Sequence, residues 1–508
     1  MSSNRRIIKN TLSLYVRMIA TMGVALYTSR VLVDVLGIEE FGLFHVIVGF
    51  VALLGFMQGA MATATQRFFS FDLGETSGSD LNEIFNVSLQ IHVFLALCIT
   101  LMAATFGAWF VFTQLTIPAD RVNAATWVYF FAIVGFGLTV ITVPYTAMLM
   151  AHERMGAFSV GSIVDVVLKL IIAVAIQFSE GDKLTTYAFL LMGCNLATLI
   201  LFASINHILF PSIRITKTWN RAKFKKMLGY TAWNTWGNLA AAMSDHGTNV
   251  LLNVFFNPTV NAAKSIASQG NNAIAQFVVN VQAALNPQIV KRYASGQIAE
   301  MHDLVLKASK FNFFILLVLA LPALLCADQL LALWLVTPPK YAAQFFELSL
   351  VATLINAFSG PLMMSAQATG HIRLYHTVVG GILLLNVPVG YMLLKSGAAP
   401  ETVFYVAVAL CIVAFSARLV IICPLIEMRI STFALTVLPR AGLVVSISFG
   451  MERLLWLSAE PTVFSIALNT SQILCLLVPT IWLLGFSRSE RRQAIDLFRV
   501  LKSRKSLT

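Results

Sequence analysis

The sequence predicts an all-α polytopic membrane protein with about fourteen transmembrane helices. Of its 508 residues, 58% are hydrophobic and only 11% are charged, and the mean hydropathy is +0.80. Soluble globular proteins do not have such a composition. Fourteen apolar stretches are long enough to cross a bilayer: residues 11–36, 41–64, 85–112, 124–150, 160–178, 184–209, 229–256, 259–285, 311–335, 343–366, 375–394, 403–423, 435–450 and 463–486.

The seventh and eighth stretches are too polar to face lipid. In the seventh, polar residues recur every four or seven positions on one helix face, at Asn234, Asn238, Asp245, Asn249 and Asn253. The eighth has a second stripe, formed by Asn261, Lys264, Ser268, Asn272, Gln276 and Asn280. Because polar groups facing hydrocarbon are costly, we expect both stripes to line a water-filled cavity. Hydrogen bonding between closely packed helices is the alternative.

Lys and Arg are distributed unequally between the two sides of the predicted membrane. With the amino terminus inside, roughly four in five of the positive residues in loops and tails lie on the inner side. Both termini are therefore expected in the cytoplasm, which requires an even number of crossings and supports the thirteenth span, although Pro439 and Arg440 crowd it. The basic residues of the inner loops and tails account for the net charge of +12, and no nucleic-acid recognition motif accompanies it.

The cysteines show neither CxxC nor Cys/His metal spacing, so we expect no disulfide, no metal site and no cofactor. All six lie inside apolar runs, at Cys98, Cys194, Cys326, Cys411, Cys423 and Cys475. The outer loops are short and carry scattered charges. They do not offer the acid/base or metal-binding residues that an enzyme such as a membrane glycan polymerase or transferase needs.

The chain contains an internal repeat. VLVDVLG from Val31 is similar to VLLNVFF from Val250, and the helix after each ends in a basic element, QRFFS or VKRYASG. About six crossings separate the copies, an even number, so two pseudo-symmetric six-helix lobes with a binding site between them are expected. The predicted segments are an amino-terminal lobe (1–210), a basic interfacial linker (211–228), a carboxyl-terminal lobe (229–425), two additional helices (426–486) and a basic amphipathic cytoplasmic tail (487–508).

Several embedded charges are candidates for function. Arg17 shares a helix face with Asn10, Ser13, Thr21 and Thr28 and is expected to face the cavity, with snorkelling to the inner surface as the alternative. Lys264 and Arg418 have no obvious local acidic partner, so both are candidates for holding an anion.

Other charges are expected to pair or to titrate. Arg30 with Asp34, and Asp165 with Lys169, are four residues apart and are interpreted as structural pairs. Asp245 and His246 are candidates for ion coupling, because a buried carboxylate or imidazole can titrate near neutrality. A hydrogen-bonded cavity lining explains the two residues equally well.

Two segments carry a resemblance to a known family. NTLSLYVRMIATMGVALYTSRVLVDVLG and GYTAWNTWGNLAAAMSDHGTNVLLNVFF resemble the polysaccharide transporters of the multidrug/oligosaccharidyl-lipid/polysaccharide exporter superfamily, the branch of O-antigen flippases of lipopolysaccharide biosynthesis. The resemblance implies a V-shaped cavity between the lobes, alternating access, and flipping of an undecaprenyl-diphosphate-linked oligosaccharide across the bacterial inner membrane. The last two helices would lie outside the superfamily's twelve-helix minimum.

The resemblance and the residues together leave more than one function open. A surplus of basic residues at membrane depth favours the flippase, because it suits a diphosphate. The alternative is a cation-coupled drug or metabolite antiporter of the same superfamily, for which Asp165 and Asp245 are the available carboxylates. The expected partners are the lipid-linked oligosaccharide and membrane lipid; H⁺ or Na⁺ as coupling ion and a polysaccharide polymerase remain open.

Overall fold

The structure is a computed structural model that describes residues 3–36, 40, 43–44, 47–48, 51, 55–74, 81–114, 119–216, 219–256, 258–335, 338–452, 460 and 462–492. These residues form helices joined by short turns, and no strand occurs among them. This all-helical architecture confirms the predicted fold class, an all-α polytopic membrane protein.

The described residues of the first part of the chain form seven α-helices. They are α1 (Ser3–Leu36), α2 (Gly55–Asp72), α3 (Leu81–Met102), α4 (Ala108–Gln114), α5 (Val122–Ala151), α6 (Met155–Ala175) and α7 (Lys183–Leu209). One π-helical turn, Ala103–Gly107, connects α3 to α4, and Leu81–Gly107 forms one candidate membrane span. The first part of the second predicted span lies mostly outside the described residues.

Eleven α-helices follow among the described residues. They are α8 (Arg221–Phe255), α9 (Pro258–Ala294), α10 (Ile298–Leu325), α11 (Ala327–Leu335), α12 (Ala342–Ala357), α13 (Ser359–Thr369), α14 (Arg373–Leu384), α15 (Asn386–Lys395), α16 (Thr402–Leu425), α17 (Ile430–Glu452) and α18 (Val463–Thr480). The thirteenth predicted span is therefore helical, as part of α17. The end of the predicted interfacial linker forms the first turns of α8.

Nine of the described helices are long and apolar enough to cross a membrane. The pair α12 and α13 becomes a tenth when it is counted as one span with a bend of 44°. The bend falls at Phe358, three residues before Pro361, whose ring prevents regular helical hydrogen bonding at that place. The chain is a multi-pass membrane protein.

Among the described residues, the long helices α1, α8 and α9 do not reach the apolarity of a lipid-facing span. The first of them begins the first half of the chain, and the other two begin the second half. Polar residues in a membrane persist where they contact protein or water. A polar helix, α1 or α8, therefore stands at the start of each half of the chain.

The described chain forms two compact units, and the boundary between them falls within α8. One unit comprises residues 6–239 and the other comprises residues 240–508 with residues 1–5. The boundaries of the five predicted segments, and the V-shaped cavity, stay predictions.

Aromatic packing holds each unit together. In the first unit, Phe44 contacts Tyr187 with ring centroids 5.0 Å apart, and a second cluster contains Phe69 and Phe85. In the second unit, Phe345 stacks on Phe404 at 4.3 Å within a core that also contains Leu252 and Ala263. Such pairs add directional energy to apolar burial.

The amino-terminal end of the tail has the capping box that its sequence predicts. The backbone N–H of Ser487 donates to Glu490 Oε2 at 2.7 Å, and the backbone N–H of Glu490 donates to Ser487 Oγ at 3.2 Å. The remainder of the predicted amphipathic tail, from residue 493, lies outside the described residues.

Candidate functional site

A buried lysine and an open carboxylate meet between the two polar helices α8 and α9. The ammonium of Lys264 donates to Asp245 Oδ1 at 3.0 Å and to the backbone carbonyl of Asp245 at 2.7 Å. The Lys264 side chain is only 3% exposed, whereas the Asp245 side chain is 64% exposed. The pair therefore has one desolvated charge and one charge that a solute or a proton can reach.

This pairing corrects the expectation that Lys264 has no acidic partner. Asp245 lies nineteen residues earlier, on the preceding helix, so no local spacing rule identifies it. Leaving an ammonium buried without a counter-charge is strongly unfavourable, and the Asp245 carboxylate supplies that counter-charge. Lys264 is consequently not a free cation available to an anionic ligand.

Packing on both helices fixes the position of the pair. On α8, Thr248 accepts a hydrogen bond at 3.0 Å from the side-chain amide of Asn386 at the start of α15. On α9, Ala263 and Ala267 are fully buried in the core that contains Phe345. The pair is therefore held between helix segments that contribute to the core of the second unit.

The other polar residues of the α8 stripe have different environments. Asn234 is buried, and its amide donates to the Ala60 carbonyl of α2 at 2.6 Å. This residue therefore forms a hydrogen bond between helices, which was the alternative to lining a cavity. Asn238 is exposed and donates to the Asn234 carbonyl at 2.9 Å. Asn249 is half-buried, and its Oδ1 has no partner among the described residues.

On α9, Asn272 and Gln276 are exposed, which is compatible with a cavity face. The side chains of Asn253, Asn261 and His246 lie outside the described residues, so the proposed ion-coupling role of His246 stays a prediction.

The two candidate arginines lie in separate units. In the first unit, the half-buried Arg17 places its guanidinium carbon 5.1 Å from the centre of the Phe158 ring, a cation–π contact between α1 and α6. Next to it, Ser13 Oγ and Ser159 Oγ are 3.1 Å apart, which joins the same two helices.

Arg418 is 5% exposed and has neutral partners in the second unit. Its Nη1 donates to Asn356 Oδ1 at 3.0 Å and to Ser359 Oγ at 3.2 Å, and it also hydrogen-bonds to Tyr375. Asn356 and Ser359 lie on the two sides of the bend between α12 and α13. Among the described residues no carboxylate pairs with Arg418, and its Nε has no hydrogen-bond acceptor. It does not contact Asp245 or Lys264 within that part of the chain.

The expected pair of Asp165 and Lys169 is present in α6, with Lys169 Nζ 2.8 Å from Asp165 Oδ2. Thr198 of α7 donates to the other carboxylate oxygen at 2.8 Å. Asp165 is thus satisfied on both sides by neighbours in the first unit. Asp34 is exposed, and the side chain of its expected partner Arg30 lies outside the described residues.

A further ion pair was not predicted. Lys310 of α10 is almost fully buried and pairs with Glu490, which also lies 3.6 Å from Arg440 of α17. Its partner lies 180 residues later in the sequence. No sequence pattern pairs the two residues, and only the folded structure brings them together.

Metal coordination is not supported by the described side chains, because no three His, Cys, Asp or Glu residues among them are grouped closely enough to hold an ion. The absence of a metal and of a cofactor remains a prediction for the whole chain.

Comparison with solved structures identifies the fold. An outward-facing multidrug resistance MATE family transporter of the MOP superfamily superimposes with a TM-score of 0.70 at 15% identity, covering 85% of this chain and 97% of that chain. The chain has the MATE transporter fold. A MATE structure in the bent conformation gives a TM-score of 0.72 at 16% identity, covering 86% and 97%. The MATE transporter ClbM in complex with Rb⁺ gives 0.67 at 17% identity, covering 84% and 96%.

At these identities the likeness concerns the fold alone. No protein-family model and no curated protein sequence matches the chain. The resemblance to the exporter superfamily is therefore confirmed at the level of the MATE fold, and its polysaccharide-transporter branch is not shown. The share of the chain left uncovered is about as long as the two additional helices and the tail.

Proposed function

We propose that this chain is a cation-coupled exporter that works by alternating access, with Asp245 and Lys264 as its coupling site. The observation that carries the proposal is the asymmetric pair itself: an open carboxylate on α8 compensates a buried ammonium on α9. Both helices are too polar to face lipid. An ionisable pair at membrane depth is expensive, and such residues commonly mark ion pathways.

In this proposal the pair has two states. With Asp245 ionised, the carboxylate and the backbone carbonyl of the same residue hold the ammonium of Lys264. Binding of a proton or a cationic solute at the open carboxylate would weaken its attraction to Lys264. The desolvated ammonium would then favour a rearrangement of α8 against α9 that supplies another partner. Such a response to a bound ion is what coupled transport requires.

The structural neighbours support an exporter of this kind. One neighbour is described as a multidrug resistance MATE family transporter, and another MATE transporter was solved in complex with Rb⁺. By analogy, H⁺ or Na⁺ would be the coupling ion here, and an amphipathic drug or metabolite would be the substrate. This makes the antiporter alternative of the sequence analysis the preferred function, and neither reading assigns an enzymatic activity.

Transport in reconstituted vesicles tests the proposal. Purified protein in proteoliposomes is expected to drive efflux of a cationic dye such as ethidium when an inward H⁺ or Na⁺ gradient is imposed, and to lose that efflux when the gradient is collapsed by an ionophore. Protein-free vesicles are the control. Efflux that is absent, or indifferent to both gradients, would contradict a cation-coupled exporter.

The second candidate is the flippase for an undecaprenyl-diphosphate-linked oligosaccharide, and Arg418 favours it. The guanidinium of Arg418 is 5% exposed and has only neutral partners in the described part of the chain, so no described carboxylate compensates it. A diphosphate is a suitable compensating anion, because guanidinium binds phosphate oxygens bidentately. Lipopolysaccharide biosynthesis, and a polymerase partner, belong to this candidate.

The phenotype of a deletion separates the two candidates. Loss of the exporter would sensitise cells to cationic compounds and leave surface glycans intact. Loss of the flippase would leave lipid-linked oligosaccharide on the inner leaflet and remove one surface polysaccharide without changing drug sensitivity. The second pattern would replace our preferred function by the flippase.

For either function we propose a bacterial inner-membrane location with both termini in the cytoplasm, based on the skewed distribution of Lys and Arg. Reporter fusions after Lys217 and after Arg492 are expected to report the cytoplasm, whereas a fusion near Lys183 should report the periplasm. An external signal from the Arg492 fusion would contradict the even number of crossings.

A further inference from the structure

A groove of about 480 Å³ lies in the first unit, where α3, α5 and α7 meet the segment after α7. Its walls are mostly apolar and consist of Phe85, Tyr145, Ile200, Ala203, Ile213 and Ile215. The polar residues of its lining are Ser204, Asn206, His207 and Arg214. None of the described residues that line it is acidic. The groove thus combines a hydrocarbon-like wall with one permanent positive charge.

The backbone around Arg214 is held firmly. The N–H of Arg214 donates to Asn82 Oδ1 at 2.7 Å, and its carbonyl accepts from Asn86 Nδ2 at 2.9 Å. The next bond, from the N–H of Thr216 to Asn86 Oδ1, is 2.7 Å long. These bonds fix a non-helical segment and leave the Arg214 side chain exposed. A charge presented by an ordered backbone costs less entropy to use in binding.

The predicted topology places the groove at the inner face of the membrane. Phe85 lies near the start of α3, Tyr145 near the end of α5 and Ala203 near the end of α7, and the even-crossing topology puts these three helix ends on the cytoplasmic side. Ile200 and Ile215 are largely exposed. With this predicted topology the exposed isoleucines would contact lipid chains, and the groove would open to the bilayer rather than to solution.

We propose that this groove binds an anionic phospholipid of the inner leaflet. The phosphate lies at Arg214, His207 donates a further hydrogen bond, and the upper part of an acyl chain lies along Ile200 and Ala203. The volume lies within the range of small-molecule sites. The positive charge of Arg214 favours an anionic lipid as the occupant of the groove. The tail of this chain from residue 487 is basic and would be repelled by Arg214, whereas anionic lipid concentrates at basic residues of the cytoplasmic leaflet.

Lipid binding to the purified, delipidated full chain tests this proposal. We expect native mass spectrometry to retain one dioleoyl phosphatidylglycerol per chain under conditions that strip dioleoyl phosphatidylcholine. Arg214→Gln should weaken phosphatidylglycerol binding about fivefold, because one cation near the surface is removed, and Arg214→Lys should restore most of it. Ala203→Trp should block binding by filling the groove. The matched control is Arg221→Gln, which removes an exposed charge seven residues later that does not line the groove.

Three results would overturn the proposal. Equal retention of phosphatidylglycerol and phosphatidylcholine would remove the role of charge. Equal weakening by Arg214→Gln and Arg221→Gln would reduce the effect to general surface attraction. Displacement of phosphatidylglycerol by a lower concentration of undecaprenyl diphosphate would assign the groove to a polyprenyl substrate. Because Arg214 is exposed, its variants are expected to fold even if Ala203→Trp does not, and their thermal midpoints verify this.

Discussion

Replacing Glu490 by alanine is expected to destabilise the folded protein by about 3 to 5 kcal/mol, the usual cost of removing one partner from a buried ion pair. The Lys310 side chain is 2% exposed and the Glu490 side chain 11%, so alanine leaves an ammonium in the protein interior without a counter-charge. The Ser487 backbone also loses its hydrogen bond to Glu490 Oε2. The contact links the start of the tail, which follows the last helix, to α10, so the two additional helices should loosen first.

A double-mutant cycle measures this pair. Lys310→Met in the Glu490→Ala background removes the orphaned charge and should recover most of the lost stability, measured as the thermal midpoint of the purified protein in detergent. Arg440→Gln is the matched control, since Arg440 lies 3.6 Å from Glu490 and is 36% exposed; it should change stability by at most about 1 kcal/mol. Additive losses from the Lys310 and Glu490 variants would show that the pair is not coupled.

The same carboxylate gives a pH dependence with a definite sign. Burial raises the pKa of Glu490, but hydrogen bonds from Lys310 and Ser487 and the charge of Lys310 together hold it below its ordinary value of 4.5. A lowered pKa in the folded state stabilises the protein above the unfolded pKa, and this contribution disappears as the pH falls through the folded pKa. The stability advantage of the wild type over Glu490→Gln should therefore shrink below about pH 4.5.

Local patterns in the sequence were sufficient to locate the helices. Each predicted span contains part of a described helix, because apolar runs of membrane length are a local signal. The pair of Asp165 and Lys169 is equally local, since one turn of helix brings the two residues together. The segment that forms α12 and α13 was predicted as one uninterrupted span, although Pro361 within it indicates a possible break.

Contacts between distant residues were beyond such patterns. Asp245 was singled out for its chemistry and Lys264 for its charge, but nothing in a helix period places residues nineteen positions apart against each other. The same holds for Lys310 and Glu490. Helical periodicity also cannot distinguish a cavity face from a contact between helices. Asn234 and Asn238 share the predicted stripe, yet Asn234 is buried against α2 and Asn238 is exposed.

Asp245→Asn is expected to reduce gradient-driven export at least tenfold while the protein remains in the membrane. The amide has nearly the same shape as the carboxylate and still accepts a hydrogen bond from Lys264, but it can neither take up a proton nor attract a cation. The loss of charge at a partly exposed partner should cost about 1 to 3 kcal/mol of stability. Transport should therefore fall far more than abundance.

Lys264→Met separates the two roles of the pair, because it leaves an accessible carboxylate beside an apolar side chain of similar length. Since Asp245 is 64% exposed, water can solvate it, and we expect normal abundance with partial, gradient-dependent export. Asp303→Asn is the matched control. It neutralises the acid of an exposed pair with Lys307 in the same unit and should leave export unchanged. If Asp245→Asn exports normally while Arg418→Ala does not, the coupling site is wrong and an anion held at Arg418 becomes the centre of the mechanism.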